Sequence, residues 1–370
     1  MNSPAQPASP PVLNTVSLSL CCLARPLLWA LVLSLSATGT LKAQAQTSAC
    51  SRAQQAFAAQ DFRAAANLFA EAAEAEAATP SASPSDALLM QAKSLIRLND
   101  FTAADPVLRK QIAAAPGSSP GSAQALYLLG FVLHRENKPK ESLTVYTEAA
   151  AIQPPQADDL KIVALDYVLL DDYADAIRWL KRAVAADPKN ADAWYSLGRA
   201  QMNQGNFVEA EHDFNQTLAL NPNDSKALDN LGLSLEAQNR TDEALAAYNR
   251  AIAAQARSAH ASEQPFLNLG TLLNAKSRSS EAVSPLQQAI AVAPKCPRCH
   301  EELARACLAT GQEALGTREM EQAVALDPRN PRLHYQLGQI YRHAGLSAKA
   351  NAELKTSSSL YGSHSTPTDK

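Results

Sequence analysis

From Gln46 to Tyr361 small and large apolar residues recur in one fixed order at a spacing of 34 residues. Nine blocks share this order, at 46–79, 85–118, 123–156, 157–190, 191–224, 225–258, 263–296, 297–330 and 331–361. The eighth residue of each is Gly or Ala, as in Ala53, Gly130, Gly198, Gly232 and Gly338. The twentieth is small again, as in Ala65, Ser142, Ala210 and Gly316, and the twenty-fourth is large and apolar, as in Phe69, Tyr146, Phe214 and Tyr248. Within a block the fourth, seventh, eighth and eleventh residues, such as Trp194, Leu197, Gly198 and Gln201, fall on one helical face. Asn137, Asp171, Gly205, Gly311 and Gly345, each the fifteenth residue, mark a turn by their tolerance of left-handed backbone. A second helix then presents positions 20, 24 and 27, and proline at position 32 of six blocks ends it, because it lacks an N–H and restricts the residue before it. The pattern predicts an all-α chain of stacked antiparallel helix pairs, an array whose units are stable only against their neighbours.

The small residues at positions 8 and 20 let the two helix axes of a block approach until the large residue at 24 fills the gap. Leucine at Gly198 or Ala210 is expected to overpack that contact, at roughly 1–3 kcal/mol. Three short Pro-, Ser-, Gly- and Ala-rich insertions, Pro80–Pro84, Ser119–Ser122 and Ala259–Ser262, separate blocks one and two, two and three, and six and seven. They read as lengthened turns. The polar segment 362–370 reads as a disordered tail.

At the N-terminus, Arg25 precedes the apolar run Pro26–Ala37, and Ala43-Gln44-Ala45 offers small residues at a cleavage site. Residues 1–45 are therefore expected to be a signal peptide, and the chain to be exported to a periplasmic or secreted location. The alternative is an uncleaved segment anchoring the chain to the inner membrane.

Formal charge is −3, and removing residues 1–45 takes away Arg25 and Lys42 but no acid, leaving −5. Mild acidity with scattered cations argues against nucleic acid, which calls for a basic face. No phosphate-cradling glycine loop, HExxH or GxSxG is present, and the seven histidines form no catalytic constellation, so no enzyme, small-molecule substrate or cofactor is expected. One motif stands apart. Cys296-Pro297-Arg298-Cys299-His300 spells CxxCH, the spacing used for covalent c-type haem attachment. His300, however, occupies the interior fourth position of its block, where block five has Trp194 and block nine has His334 without a nearby cysteine. The competing readings are a Cys296–Cys299 disulfide at a helix N-terminus, favoured by an oxidising compartment, and a pair of inert thiols. No metal site is expected.

The block Trp194-x2-Leu197-Gly198, Ala210-x3-Phe214, Pro222 closely resembles the tetratricopeptide repeat, and the resemblance covers about 315 residues in nine copies of one register. It implies a right-handed superhelical α-solenoid that binds a protein or an extended peptide in a concave groove lined by the first helices. Carried over position by position, the groove residues are Tyr127, Phe131, Tyr195, Arg199, Asn230, Asn268, Arg305, Tyr335 and Gln339, with Asp229, Lys93 and Arg342 nearby. Aromatic rings interleaved with cations suit a peptide bearing acids and apolar anchors, and Asn230 and Asn268 are expected to hydrogen-bond its backbone. The function implied is a non-catalytic exported scaffold, in envelope assembly or secretion. The alternative is an extracytoplasmic redox or haem protein working through Cys296, Cys299 and His300.

Overall fold

The structure, a computed structural model, describes residues 49–77, 86–114, 120–256 and 261–364. The expected signal segment and the Pro80–Pro84 insertion lie outside them. Among the described residues the regular structure is helical throughout, with no strand. The helices are α1 (49–58), α2 (Phe62–Ala77), α3 (Ala87–Arg97), α4 (Phe101–Ala114), α5 (Pro120–Arg135) and α6 (Pro139–Ile152). They continue with α7 (Ala157–Leu169), α8 (Tyr173–Ala186), α9 (Ala191–Asn203), α10 (Phe207–Leu220), α11 (Ser225–Ala237) and α12 (Thr241–Gln255). The last are α13 (Gln264–Ala275), α14 (Ser279–Val292), α15 (Pro297–Ala309), α16 (Glu313–Leu326), α17 (Pro331–His343) and α18 (Ser347–His364). Each 34-residue block supplies one odd-numbered and one even-numbered helix.

The chain divides into two compact units, one ending at Leu98 and one starting at Asn99, so the division falls inside the second block. In the first unit Ala53, Ala65 and Phe69 form a small core between α1 and α2, and α2 also packs on α3. In the second unit each helix from α4 onward packs on the next. The odd-numbered helices α5 to α15 also touch one another in succession, whereas successive even-numbered helices approach much less closely. The odd-numbered helices therefore lie together on one side of the second unit, and clefts open between the even-numbered ones.

The turn inside each pair has one construction. Residue 15 has positive φ in all nine blocks: Gln60, Asn99, Asn137, Asp171, Gly205, Asn239, Ser277, Gly311 and Gly345. The next residue donates its N–H back to the carbonyl of position 11, as Asn206 does to Gln201 and Gln312 to Cys307, which satisfies an orphan carbonyl at the helix end. At the other end, position 34 caps the following helix. Asn190 and Asp224 accept from the N–H groups of Ala193 and Ala227, and Cys296 Sγ takes that role towards Cys299 N.

Close approach at position 8 is tighter than size alone suggests. A Cβ built on Gly232 would lie 2.4 Å from the Tyr248 ring, and one on Gly198 2.7 Å from the Phe214 ring, so alanine itself does not fit there unshifted. Two readings of irregular segments change. Helix α5 begins at Pro120, so most of the Ser119–Ser122 insertion is helical, proline being well suited to a first turn. Likewise α18 runs to His364, into the segment read as a tail. Of the Ala259–Ser262 insertion, residues 261 and 262 are described, and the N–H and carbonyl of Ser262 are both bonded by the Gln255 side-chain amide.

Candidate protein-binding surface

The nine residues assigned to the groove do lie on odd-numbered helices, but the structure divides them by what they already touch. Tyr127 is half-buried on Tyr146 and its hydroxyl donates to the Gln153 carbonyl at 2.5 Å. Phe131 stacks edge-on with Phe101, and the Arg135 guanidinium lies over the Phe101 ring. Tyr195 packs on Phe214, and its hydroxyl accepts from Asn230 Nδ2 at 3.2 Å; burial pushes the phenol up from its ordinary pKa. Asn230 donates also to the Lys226 carbonyl, and Asn268 is buried with its Nδ2 against both carboxylate oxygens of Asp229, at 3.0 and 3.2 Å. Both side-chain amides, expected to hydrogen-bond a peptide backbone, already join neighbouring helices in this structure. Burial pushes the Asp229 carboxyl up to about 6 while the Asn268 amide opposes the shift.

These contacts form a ladder from position 5 of one block to position 6 of the next: Tyr195 to Asn230, Asp229 to Asn268, and Glu301 to Gln336 at 3.0 Å. Glu301, 2% exposed, also receives a two-pronged bond from Arg332 at 2.7 and 2.6 Å. Sequence reading missed the ladder, although the recurrence of an amide at position 6 opposite a tyrosine or acid at position 5 was available as a signal. Left facing outward are Arg199, exposed and with no ion pair among the described residues, Tyr335 at 51% exposure, and the partly buried Gln339. Arg305 is exposed but lies 3.3 Å from Glu302 and 3.8 Å from Glu301, which neutralise much of its charge. Lys93 belongs to the first unit, and Arg342 is exposed on α17.

At the CxxCH motif the two sulfurs of Cys296 and Cys299 are joined as a disulfide. His300 is 7% exposed, with Nδ1 2.7 Å from Glu319 Oε2 and Nε2 3.2 Å from the Pro294 carbonyl. The carbonyl and the carboxylate are both hydrogen-bond acceptors, so each ring nitrogen of His300 faces an acceptor of this chain. Both ring nitrogens face partners in this chain and both sulfurs face each other, an arrangement that does not fit a haem held by two thioethers and a histidine. No grouping of His, Cys, Asp and Glu suited to a metal ion occurs among the described residues. Cys307 is a buried free thiol whose pKa is raised by burial and by Glu319.

His300 is one of three like constructions. The fourth-position rings Trp194, His300 and His334 each face the carbonyl of the proline six residues earlier, Pro188, Pro294 and Pro328, at 3.0–3.2 Å. In all three blocks position 23 is acidic. Glu319 and Glu353 bind the second nitrogen of their histidines, at 2.7 and 2.6 Å. An indole has no second nitrogen, so Asp213 below Trp194 is left without a side-chain partner: Oδ2 is wholly buried and the residue is 4% exposed. Burial pushes its carboxyl from the ordinary 3.8 to about 7, with Lys181 opposing the shift and Glu209 adding to it. The folded chain thus holds this proton up to about pH 7, whereas the unfolded chain releases it near 3.8, and between those values the folded state binds more protons. Stability is lost as pH rises across that window. Asp213→Asn is accordingly expected to match wild type near pH 4 and to exceed it by about 1–3 kcal/mol above pH 7 in urea unfolding. An offset that does not change with pH would refute this account.

The comparisons agree with this geometry. The middle TPR-like domain of cilia and flagella-associated protein 70 matches residues 160–293, and two tetratricopeptide repeat models match 89–157 and 319–350. A tetratricopeptide repeat protein from Parabacteroides merdae superposes with a TM-score of 0.52 at 17% identity, over 73% of this chain and 97% of that one. The C-terminal part of a TPR repeat-containing protein from Cytophaga hutchinsonii gives 0.51 at 15% identity, over 77% and 97%. The chain belongs to the tetratricopeptide repeat proteins, a fold suited to protein–protein interaction. Among curated proteins, BBSome complex member BBS4 of Bos taurus is 26% identical over 153 residues, which is 41% of this chain and 29% of that protein. BBS4 of Xenopus tropicalis is 24% identical over 129 residues, or 35% and 24%. The match therefore spans less than a third of these relatives.

Proposed function

We propose that the protein is a non-catalytic, exported scaffold that holds a protein partner along the odd-numbered helices of its second unit. Export rests on the signal-like residues 1–45, and a role in envelope assembly or secretion rests on export. The observation that carries the binding reading is the contrast on that side of the unit. Inter-helix contacts use Tyr195, Asn230, Asp229, Asn268 and Glu301, while Arg199 and Tyr335 remain exposed beyond them. A cation with no ion pair among the described residues and an exposed ring suit an acidic segment with apolar anchors. The ladder gives these side chains a rigid base, which lowers the ordering cost on binding.

Because Tyr195 also supports the ladder, the informative variant is Arg199→Glu with Tyr335→Ala. Purified from its host after cross-linking, this double variant is expected to retain wild-type helix content and lose at least tenfold of the partner recovered by wild type. Recovery equal to wild type would place the partner elsewhere. Cleavage after Ala45, read by N-terminal sequencing of the mature chain, checks export; a chain retaining residues 1–45 would favour the membrane-anchored alternative.

A further inference from the structure

The even-numbered helices diverge enough to leave clefts between them, floored by the odd-numbered helix between each pair. One lies between α4 and α6 over α5, one between α12 and α14 over α13, and one between α8 and α10 over α9. The last differs in chemistry. It has a volume of about 420 Å³ and is lined by Lys181 and Val184 of α8, Trp194, Leu197 and Gln201 of α9, and Val208, Glu209, His212 and Asp213 of α10. That volume is within the usual range for a ligand site. The unpartnered carboxylate of Asp213 is part of this cleft, and in the corresponding place of blocks eight and nine a histidine nitrogen meets the acid. The cleft therefore lacks one hydrogen-bond donor that its own repeat family supplies elsewhere.

We infer that the cleft between α8 and α10 is a second binding site, which takes an arginine side chain of a protein partner and supplies Asp213 with its missing donor. A buried carboxylate without a partner calls for a donor, and most strongly for a charged one. The apolar walls, Val184, Leu197 and Val208, the last 64% exposed, suit an alkyl stem. The Trp194 ring, set at 77° to the His212 ring with centroids 6.2 Å apart, contributes an aromatic wall to the cleft, a surface suited to a planar cation. Guanidinium fits better than ammonium because it is less strongly hydrated and stacks on aromatic faces. Glu209 on the rim adds a second acceptor. Lys181 also faces the cleft but makes no ion pair with Asp213 within 4.0 Å, so the carboxylate is not already neutralised. That the arginine comes from a protein rests on the scaffold reading; the pairing itself does not.

The test uses the full mature chain and N-acetylarginine methylamide at pH 8, with the Trp194 indole N–H followed by NMR and assigned by comparison with Trp179→Phe. A saturable shift of the Trp194 signal is expected, at least tenfold weaker with the neutral isostere N-acetylcitrulline methylamide and at least tenfold weaker in Asp213→Asn. Packing changes caused by the substitution are controlled in the Asp213→Asn spectrum, where an unshifted Trp179 indole signal reports an intact fold. Equal response to the arginine and citrulline probes, no saturable response, or an unchanged response in Asp213→Asn would each overturn the site. Failure here leaves the Arg199 and Tyr335 surface standing, since that surface lies on the odd-numbered helices and is read by partner recovery.

Discussion

Replacing His300 with alanine is expected to destabilise the second unit by about 3–5 kcal/mol, the range for removing one member of a buried hydrogen-bonded pair. The substitution leaves Glu319 buried with only Arg318 beside it, at 3.1 Å, and leaves the Pro294 carbonyl without the ring N–H. It also opens a void at an interior position. Pair and void are separable by a cycle with Glu319→Ala, read by urea unfolding. The double variant should cost clearly less than the sum of the singles, with a coupling of about 1–3 kcal/mol. Additive costs would mean that the histidine acts by packing alone. His300→Trp is a sharper comparison, because block five already shows that ring at this place. It should keep the bond to the Pro294 carbonyl and lose the bond to Glu319, so combining it with Glu319→Leu should restore much of what His300→Trp removes.

Gly232→Ala is expected to be destabilising by about 1–3 kcal/mol, although alanine is the better helix former by nearly 1 kcal/mol. The added methyl would meet the Tyr248 ring at 2.4 Å, and that ring has little room to yield. Tyr248 is fully buried, and its hydroxyl donates to Glu236 at 2.9 Å, which fixes the ring at its far end. In block four the same contact is made by Ala164 and Leu180, both buried. The cost of Gly232→Ala should therefore largely disappear in a Tyr248→Leu background. Thermal unfolding of the four proteins decides it: a Gly232→Ala protein as stable as wild type, or an equal cost in both backgrounds, would show that helix spacing is not set by this contact.

Much of the fold was legible because a 34-residue period repeats one local problem nine times. Two helices of fixed length, a tight turn and a small-to-large contact recur in register, and each is decided by residues close in sequence. The turn was legible at Gly205 and Asn137 from their residue types. At Gln60 and Ser277 only the register gave it away, since neither residue favours left-handed backbone, yet both adopt it. The irregular segments read less well. Pro120-Gly121-Ser122 has the composition of a loop, but it forms the first turn of α5, where the fixed φ and missing N–H of proline suit a helix start.

The surface was legible only in outline. Placing Tyr195, Asn230, Asn268 and Tyr335 on the odd-numbered helices followed from their positions in the blocks. Which of them remain open to a partner did not, because that depends on the distance and rotation between successive blocks, quantities the period leaves free. Three side-chain contacts, Tyr195 with Asn230, Asp229 with Asn268, and Glu301 with Gln336, use groups that would otherwise face outward. The same holds for the motif at Cys296. As letters it matches haem attachment; in space His300 turns inward to Glu319 and Pro294.

What the chain order alone determined was the succession of helix pairs, their lengths, their turns and the small residues that bring them together, since these follow from contacts within one repeat. The tertiary structure alone decided which polar groups are matched. His300 and His334 find acids 19 residues further on, on the facing helix, while Trp194, with a single ring nitrogen, leaves Asp213 Oδ2 buried and unmatched at an open cleft. Hydrogen bonding demands a particular distance and donor, and those are set only when the repeats stack.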